Sequence, residues 1–138
     1  MNLDSMTGRN ILVAGGAGLL GISLTKRLVS LETPVKSTYF HRKPPEQLRR
    51  YFHRYDFTRF EDCLAATKGQ DYVIMSVVQG SGVSGMQQSP TVTILPDLKI
   101  YAGLLEACAQ NKVEKVVWIS SSTVYQKASY PVGKINWI

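Results

Sequence analysis

The sequence predicts an α/β fold in which helices cover both faces of a five-stranded parallel sheet. Three observations carry this. Ile11-Leu12-Val13-Ala14 is an unbroken apolar run, as a strand covered on both faces requires, and Asp71–Val78 is nearly so. These strand-like runs alternate with segments of helical apolar spacing, chiefly Leu19–Ser30 and Pro96–Asn111. Between the first strand and the first helix lie glycines at 15, 16, 18 and 21, a tight turn joining the two. Strands and helices that alternate in this way build parallel sheets through right-handed crossovers.

Taken in order, residues 1–8 read as a leader and Arg9–Ala14 as the first strand. In Leu19–Ser30 the positions Leu20, Leu24 and Leu28 recur at helical spacing, and Glu32-Thr33-Pro34 ends the helix. Val35–Phe40, rich in β-branched and aromatic residues, is the second strand. Glu46–Arg50 is a short helical turn, and Tyr51–Tyr55 a third strand that delivers Asp56 at its C-terminal edge. A helix is predicted over Arg59–Thr67, with Thr58 as N-cap and Glu61 completing a capping box, and Gly69 stopping it. Asp71–Val78 is the fourth strand, and Gln79–Ser89 a Gly/Ser-rich loop. A long helix follows from Pro96 to Asn111, presenting Leu98, Tyr101, Leu104, Leu105 and Cys108 on one face. Val113–Ser120 is the fifth strand, and residues 126–138 carry no pattern.

Composition narrows the function classes. A hydrophobic share of 44% and a charged share of 19% describe an ordinary globular chain of one domain. No run approaches the ~18 apolar residues of a membrane span, and the N-terminus lacks the pattern of a signal peptide. Cys63 and Cys108 are therefore read as reduced, buried thiols in a cytoplasmic protein. The net charge of +6 concentrates in Arg42, Lys43, Arg49, Arg50, Arg54 and Arg59, with His41 and His53 among them. Such a cluster serves nucleic acid, the phosphates of a nucleotide, or merely solvation, and nucleic acid ranks last of these. The histidines and cysteines have no zinc spacing, and neither a G-x-S-x-G elbow nor a G-K-[ST] phosphate loop is present.

The chemistry lies in the glycine turn. Gly15, Gly18 and Gly21 form G-x-x-G-x-x-G, which combines a positive-φ turn, close backbone approach to phosphate and tight helix–strand packing. Because it follows a strand and opens a helix, it is read as a dinucleotide-binding turn rather than a tight turn alone. At the end of the second strand, where an acid would hold a ribose 2′-hydroxyl, the chain reads Thr38-Tyr39-Phe40-His41-Arg42-Lys43. Arg42, and after it Lys43, suit a 2′-phosphate, so NADP is favoured over NAD. A solvated basic turn remains the alternative.

These glycines, Asp56-Phe57 after strand three, Val77-Val78 at the end of strand four, and Ser120-Ser121-Ser122-Thr123-Val124-Tyr125 after strand five resemble the extended short-chain dehydrogenase/reductases. More narrowly the chain is similar to the NAD-dependent epimerase/dehydratase group that acts on nucleotide sugars, including GDP-fucose-synthase-like members. The resemblance runs from about Arg9 to Val132. It implies a Rossmann-like doubly wound sheet of order 3-2-1-4-5, truncated before the last strands and the substrate domain. The nucleotide-binding unit is then 9–125, with 126–138 an irregular tail.

The resemblance also implies site roles. Gly15, Gly18, Leu19, Leu20 and Gly21 lie along the pyrophosphate, and Asp56 and Phe57 border the adenine. Val77 and Val78 stand where the family carries Ala-Ala, beside the ribose on the nicotinamide side. Asp97 occupies a usual Asn position ahead of Leu104-Leu105-Glu106. Ser121, with Ser122 as the alternative register, matches the catalytic Ser/Thr. Tyr130 and Lys134 form a Y-x-x-x-K, but only nine residues after Ser121 and with Pro131 and Gly133 between them. That match is read as coincidental, and the catalytic pair as missing. The expected function is cofactor binding with little or no turnover alone, the alternative a non-catalytic sensor or assembly module. A nucleotide sugar is the family substrate, and a homodimer through helix 96–111 is the expected assembly.

Overall fold

The computed structural model describes Met6 and residues 8–78 and 90–120. The first strand, β1, is Ile11–Ala14, and all four of its side chains are buried. The glycine turn leads to α1, Leu19–Ser30, and then to β2, Val35–Tyr39. A 3-10 turn at Glu46–Tyr51 precedes the short strand β3, Phe52–Arg54. Helix α2 is Phe60–Thr67, strand β4 Tyr72–Met75, helix α3 Pro90–Gln110 and strand β5 Lys115–Trp118.

All strand pairings are parallel, in the order β3-β2-β1-β4-β5 that the sequence predicts. The pleat sorts β1 onto two cores. Leu12 and Ala14 face α2 and α3, packing with Cys63, Ala66, Val73, Met75, Ile100, Leu104 and Cys108. Ile11 and Val13 face the α1 side, with Leu28, Tyr72 and Ile74. Successive strand side chains point to opposite faces, so a strand buried on both faces has no polar alternation. Among the described residues no helix is long and apolar enough to cross a membrane.

Helix α1 has the predicted bounds and ends as the sequence suggests. Glu32 takes φ of 55°, and Thr33 N–H returns to the Leu28 carbonyl at 3.1 Å. Lys112 repeats the device after α3 with φ of 56°, while Val113 N–H bonds the Cys108 carbonyl at 2.9 Å.

Three expectations are corrected. The strands are shorter than the apolar runs that predict them, because pairing stops where the chain leaves the ladder; β4 ends at Met75 rather than Val78. The capping box before α2 does not form: Arg59 is the N-cap and gives no side-chain bond. Thr58 Oγ1 donates instead to Asp56 Oδ1 at 2.7 Å, and it is Asp62 Oδ2 that accepts the Asp56 N–H at 2.7 Å. The long helix begins at Pro90 and carries Pro96 inside it. Proline is tolerated in a helix's first turn, and it is Pro90, not Pro96, that stands there. The buried face of α3 is Ile100, Leu104, Ala107 and Cys108, while Leu98 and Leu105 are exposed. The loop Gln79–Ser89 lies outside the described residues.

Candidate functional site

The cleft opens at the C-terminal edge of the sheet, between β1 and β4, where the strand order reverses. Gly15 starts the turn at φ of 84°, and a Cβ there would stand 2.6 Å from Val77 Cα. Gly16 is crowded by side chains rather than backbone, since its Cβ would lie 2.8 Å from Ser37 Cβ. At Gly21 a Cβ would come within 2.6 Å of Gly16 Cα, so helix α1 can pack against its own turn only with glycine there. Gly18 differs. It is the N-cap of α1, and a Cβ would approach nothing closer than the Gly15 carbonyl oxygen at 3.3 Å.

Two strand-end hydroxyls brace this turn. Thr38 Oγ1, at the buried end of β2, accepts the Gly15 N–H at 3.0 Å. Ser76 Oγ, just past β4, donates to the Ala14 carbonyl at 2.9 Å. On the far side Tyr101 of α3 donates its hydroxyl to the Val77 carbonyl at 3.2 Å. Burial pushes the Tyr101 phenol above its ordinary range, and the Asp97 carboxylate adds to this. The turn is thus tied to β2 and to the end of β4 by side chains, and α3 is tied to the segment after β4.

The cleft has a volume of about 320 Å³, and its walls follow the ends of successive strands. Gly15, Ala17 and Gly18 form the floor; Tyr39, Phe40, His41 and Arg42 continue from β2. Tyr55, Asp56 and Phe57 form the wall after β3, and Ser76, Val77 and Val78 the wall after β4. Asp56 is held by its own turn: Oδ1 accepts both the backbone N–H of Thr58 at 3.0 Å and its hydroxyl. The Thr58 hydroxyl bond holds the Asp56 carboxyl below its ordinary range, with the charges of Arg59 and His41 adding to it. Phe57 is buried, and its carbonyl accepts from the Cys63 thiol at 3.4 Å.

The structure therefore brings together Gly15, Gly18, Arg42, Asp56, Phe57, Val77 and Val78 around one cleft. Leu19, Leu20 and Gly21 form the first turn of α1 beside it, and the two leucines are exposed. Lys43 is exposed and lies off the cleft wall. Val77 and Val78 differ in setting: Val77 packs on the core below α3, whereas Val78 is 66% exposed. Ser121, Ser122, Tyr130 and Lys134 lie outside the described residues. Thr38, Ser76 and Tyr55 are site residues that sequence reasoning misses; Ser76 carries a signal, a polar residue directly after the apolar run Tyr72–Met75, whereas Thr38 sits in a mixed strand and carries none. Among the described residues no group of His, Cys, Asp or Glu is arranged to hold a metal ion.

Chemically this arrangement can receive an elongated anion. The first N–H groups of a helix have no intrahelical acceptors, and its dipole is positive at that end. Glycines let a phosphate approach those groups closely. Flat apolar and aromatic walls on either side suit rings attached to the two ends of such a phosphate.

Residues 11–135 match the model of the NAD dependent epimerase/dehydratase family. Among curated proteins the chain is 29% identical over 136 residues to an uncharacterized protein of Methanocaldococcus jannaschii, covering 87% of this chain and 42% of that one. It is 24% identical over 118 residues to GDP-mannose 3,5-epimerase 1 of Oryza sativa subsp. japonica, covering 83% and 31%. The chain thus spans less than half the length of these relatives. Among solved structures it resembles UDP-glucose 4-epimerase of Thermus thermophilus in complex with NAD, with a TM-score of 0.68 and 26% identity over 78% of this chain and 36% of that one. The same enzyme from Stenotrophomonas maltophila, with bound NAD and a formylated UDP-arabinopyranose, gives a TM-score of 0.79 and 23% identity, covering 90% and 40%. With the glycine turn, the sheet order and the family match all covering the same residues, the chain belongs to the NAD dependent epimerase/dehydratase family.

Proposed function

We propose that this chain is the nicotinamide-dinucleotide-binding part of an enzyme acting on nucleotide sugars, that it takes NADP in preference to NAD, and that it turns over little by itself. The binding unit is 9–125. One observation carries the cofactor choice: the cleft wall after β2 offers His41 and Arg42 and no carboxylate. A carboxylate there would pair with a ribose 2′-hydroxyl, whereas cations pair with a 2′-phosphate. The pyrophosphate is assigned to the Gly15–Gly18 turn and the N–H groups of Leu19, Leu20 and Gly21. The adenine is assigned to the Asp56–Phe57 wall, where Oδ2 of Asp56 is the oxygen that Thr58 does not use. Lys43 is a second, outer cation for the 2′-phosphate.

The nicotinamide side falls to Val77 and Val78, where a bound nicotinamide would supply hydride chemistry. Proton handling is assigned to Ser121, or Ser122, with a tyrosine. Tyr130 and Lys134 are poorly placed for it, since Pro131 and Gly133 oppose a helix over them. A nucleotide sugar as substrate is supported by the relatives named above. A homodimer through helix 96–111 is supported by the exposed Leu98 and Leu105, and a cytoplasmic location by the two free, buried thiols.

Calorimetric titration of the chain with NADP+ and NAD+ tests the cofactor assignment. NADP+ binds at least tenfold tighter, and Arg42→Gln removes most of that difference while leaving NAD+ affinity unchanged. Equal affinities in the unmodified chain, or tighter NAD+, would overturn the reading.

A further inference from the structure

We infer that Arg54, a residue of strand β3, is a further specificity-determining residue, forming with Arg42 a two-sided cradle for the 2′-phosphate. The inference rests on the NADP reading above and extends it to a strand that the usual β2 rule does not consult.

Tyr39 and Arg54 are register partners, so in parallel pairing both stand at the same level on the same side of the sheet. Tyr39 lines the cleft, and so does Tyr55, whose N–H bonds the Tyr39 carbonyl at 3.0 Å. Arg54 does not itself line the cleft; it meets it through Phe40, in the segment that leaves β2. Its Nε donates to the Phe40 carbonyl at 3.4 Å, and its guanidinium lies over the Phe40 ring, 5.3 Å from the centroid. Phe40 in turn packs against the His41 ring with centroids 4.0 Å apart. Phe40, His41 and Arg42 all line the cleft.

The guanidinium is therefore oriented by Nε and by the ring, while its terminal nitrogens make no ion pair among the described residues. Arg49 makes a useful contrast. It is also exposed and close in sequence, but it pairs with Glu46 at 3.5 Å. A planar fork fixed at one edge and open at the other is the form in which arginine takes a phosphate bidentately. Arg42 lines the cleft two residues beyond Phe40, the residue that Arg54 touches.

The test uses adenosine 2′,5′-bisphosphate and adenosine 5′-monophosphate, which differ only in the 2′-phosphate and do not involve the nicotinamide half. Calorimetry on the full chain is run with Arg54→Gln and, as a charge-matched control, Arg49→Gln. Arg54→Gln weakens the bisphosphate about tenfold and the monophosphate less than twofold, while Arg49→Gln changes neither. If the unmodified chain does not prefer the bisphosphate, the NADP reading itself fails. If it does, and Arg54→Gln keeps that preference, Arg54 alone is excluded. Equal losses for both ligands would make Arg54 a structural clamp on Phe40, and an equal effect of Arg49→Gln would make it part of a general positive field. Either result overturns the assignment.

Discussion

Gly15→Ala is the sharpest perturbation of the turn. The residue sits at φ of 84°, where an L side chain costs about 1–2 kcal/mol. Its Cβ would stand 2.6 Å from both Cα and N of Val77 and 2.8 Å from the Ser76 carbonyl carbon. Carbon atoms rest at about 3.5–4.0 Å, so the overlap is about 1 Å, and all of it is with the backbone of Ser76 and Val77. Relief requires moving the end of β4 away from β1, an overpacking cost of about 1–3 kcal/mol. The sum, about 2–5 kcal/mol, should lower the melting temperature by roughly 6–20 °C. It should also abolish dinucleotide binding, because the turn that presents the α1 N–H groups is displaced. Urea denaturation followed by tryptophan fluorescence, with calorimetric titration of the cofactor, measures both effects. Gly18→Ala is the internal control. A Cβ there meets only the Gly15 carbonyl oxygen, at 3.3 Å, and φ is −75°, so stability changes by less than about 1 kcal/mol. If Gly15→Ala costs no more than Gly18→Ala, the close approach of the turn to β4 is not what demands glycine.

Two further predictions concern stability. Burial pushes the Cys63 thiol from its ordinary 9.0 up to about 12, helped by the Asp62 carboxylate, and the Cys108 thiol up to about 11. The folded chain then keeps protons that the unfolded chain releases above pH 9. Their contribution is therefore intact below that pH and is lost as pH rises toward 11 to 12, at up to about 1.4 kcal/mol per pH unit for each thiol. The Cys63→Ala, Cys108→Ala double variant should flatten that slope in denaturant titrations, and an unchanged slope would refute it. Glu32→Gly and Lys112→Gly place glycine where the chain turns at φ of 55° and 56°. Each should raise stability by about 0.5–1 kcal/mol in the same titrations, net of the added freedom of the unfolded chain; a loss at either site would show that its side chain contributes more than the strain costs.

Much of the fold is legible in local pattern. Leu19–Ser30 carries its periodicity and its terminator in adjacent residues, so both bounds follow from sequence. The capping of α2 was not legible in the same way. Thr58 and Glu61 have the spacing of a capping box, but Asp56 Oδ1 accepts both the Thr58 N–H, which Glu61 would take in the box, and the Thr58 hydroxyl. On α3 the stripe Leu98, Tyr101, Leu105 has helical spacing as good as that of the buried stripe. Periodicity reports that a helix has an apolar face; it does not choose between two when both exist.

The site divides along the same line. Sequence alone determined that a strand, a glycine turn and a helix follow one another, and that the strand after α1 is followed by cations rather than an acid. These are properties of neighbours along the chain. The tertiary structure decided what lies across the turn. Thr38 comes from β2 to accept the Gly15 N–H, Val77 comes from just past β4 to make glycine obligatory, and Arg54 comes from β3 to meet Phe40. None of these pairs is close in sequence. They meet because parallel strands place all their C-terminal ends on one edge of the sheet, and only the register of that sheet says which residues stand opposite one another.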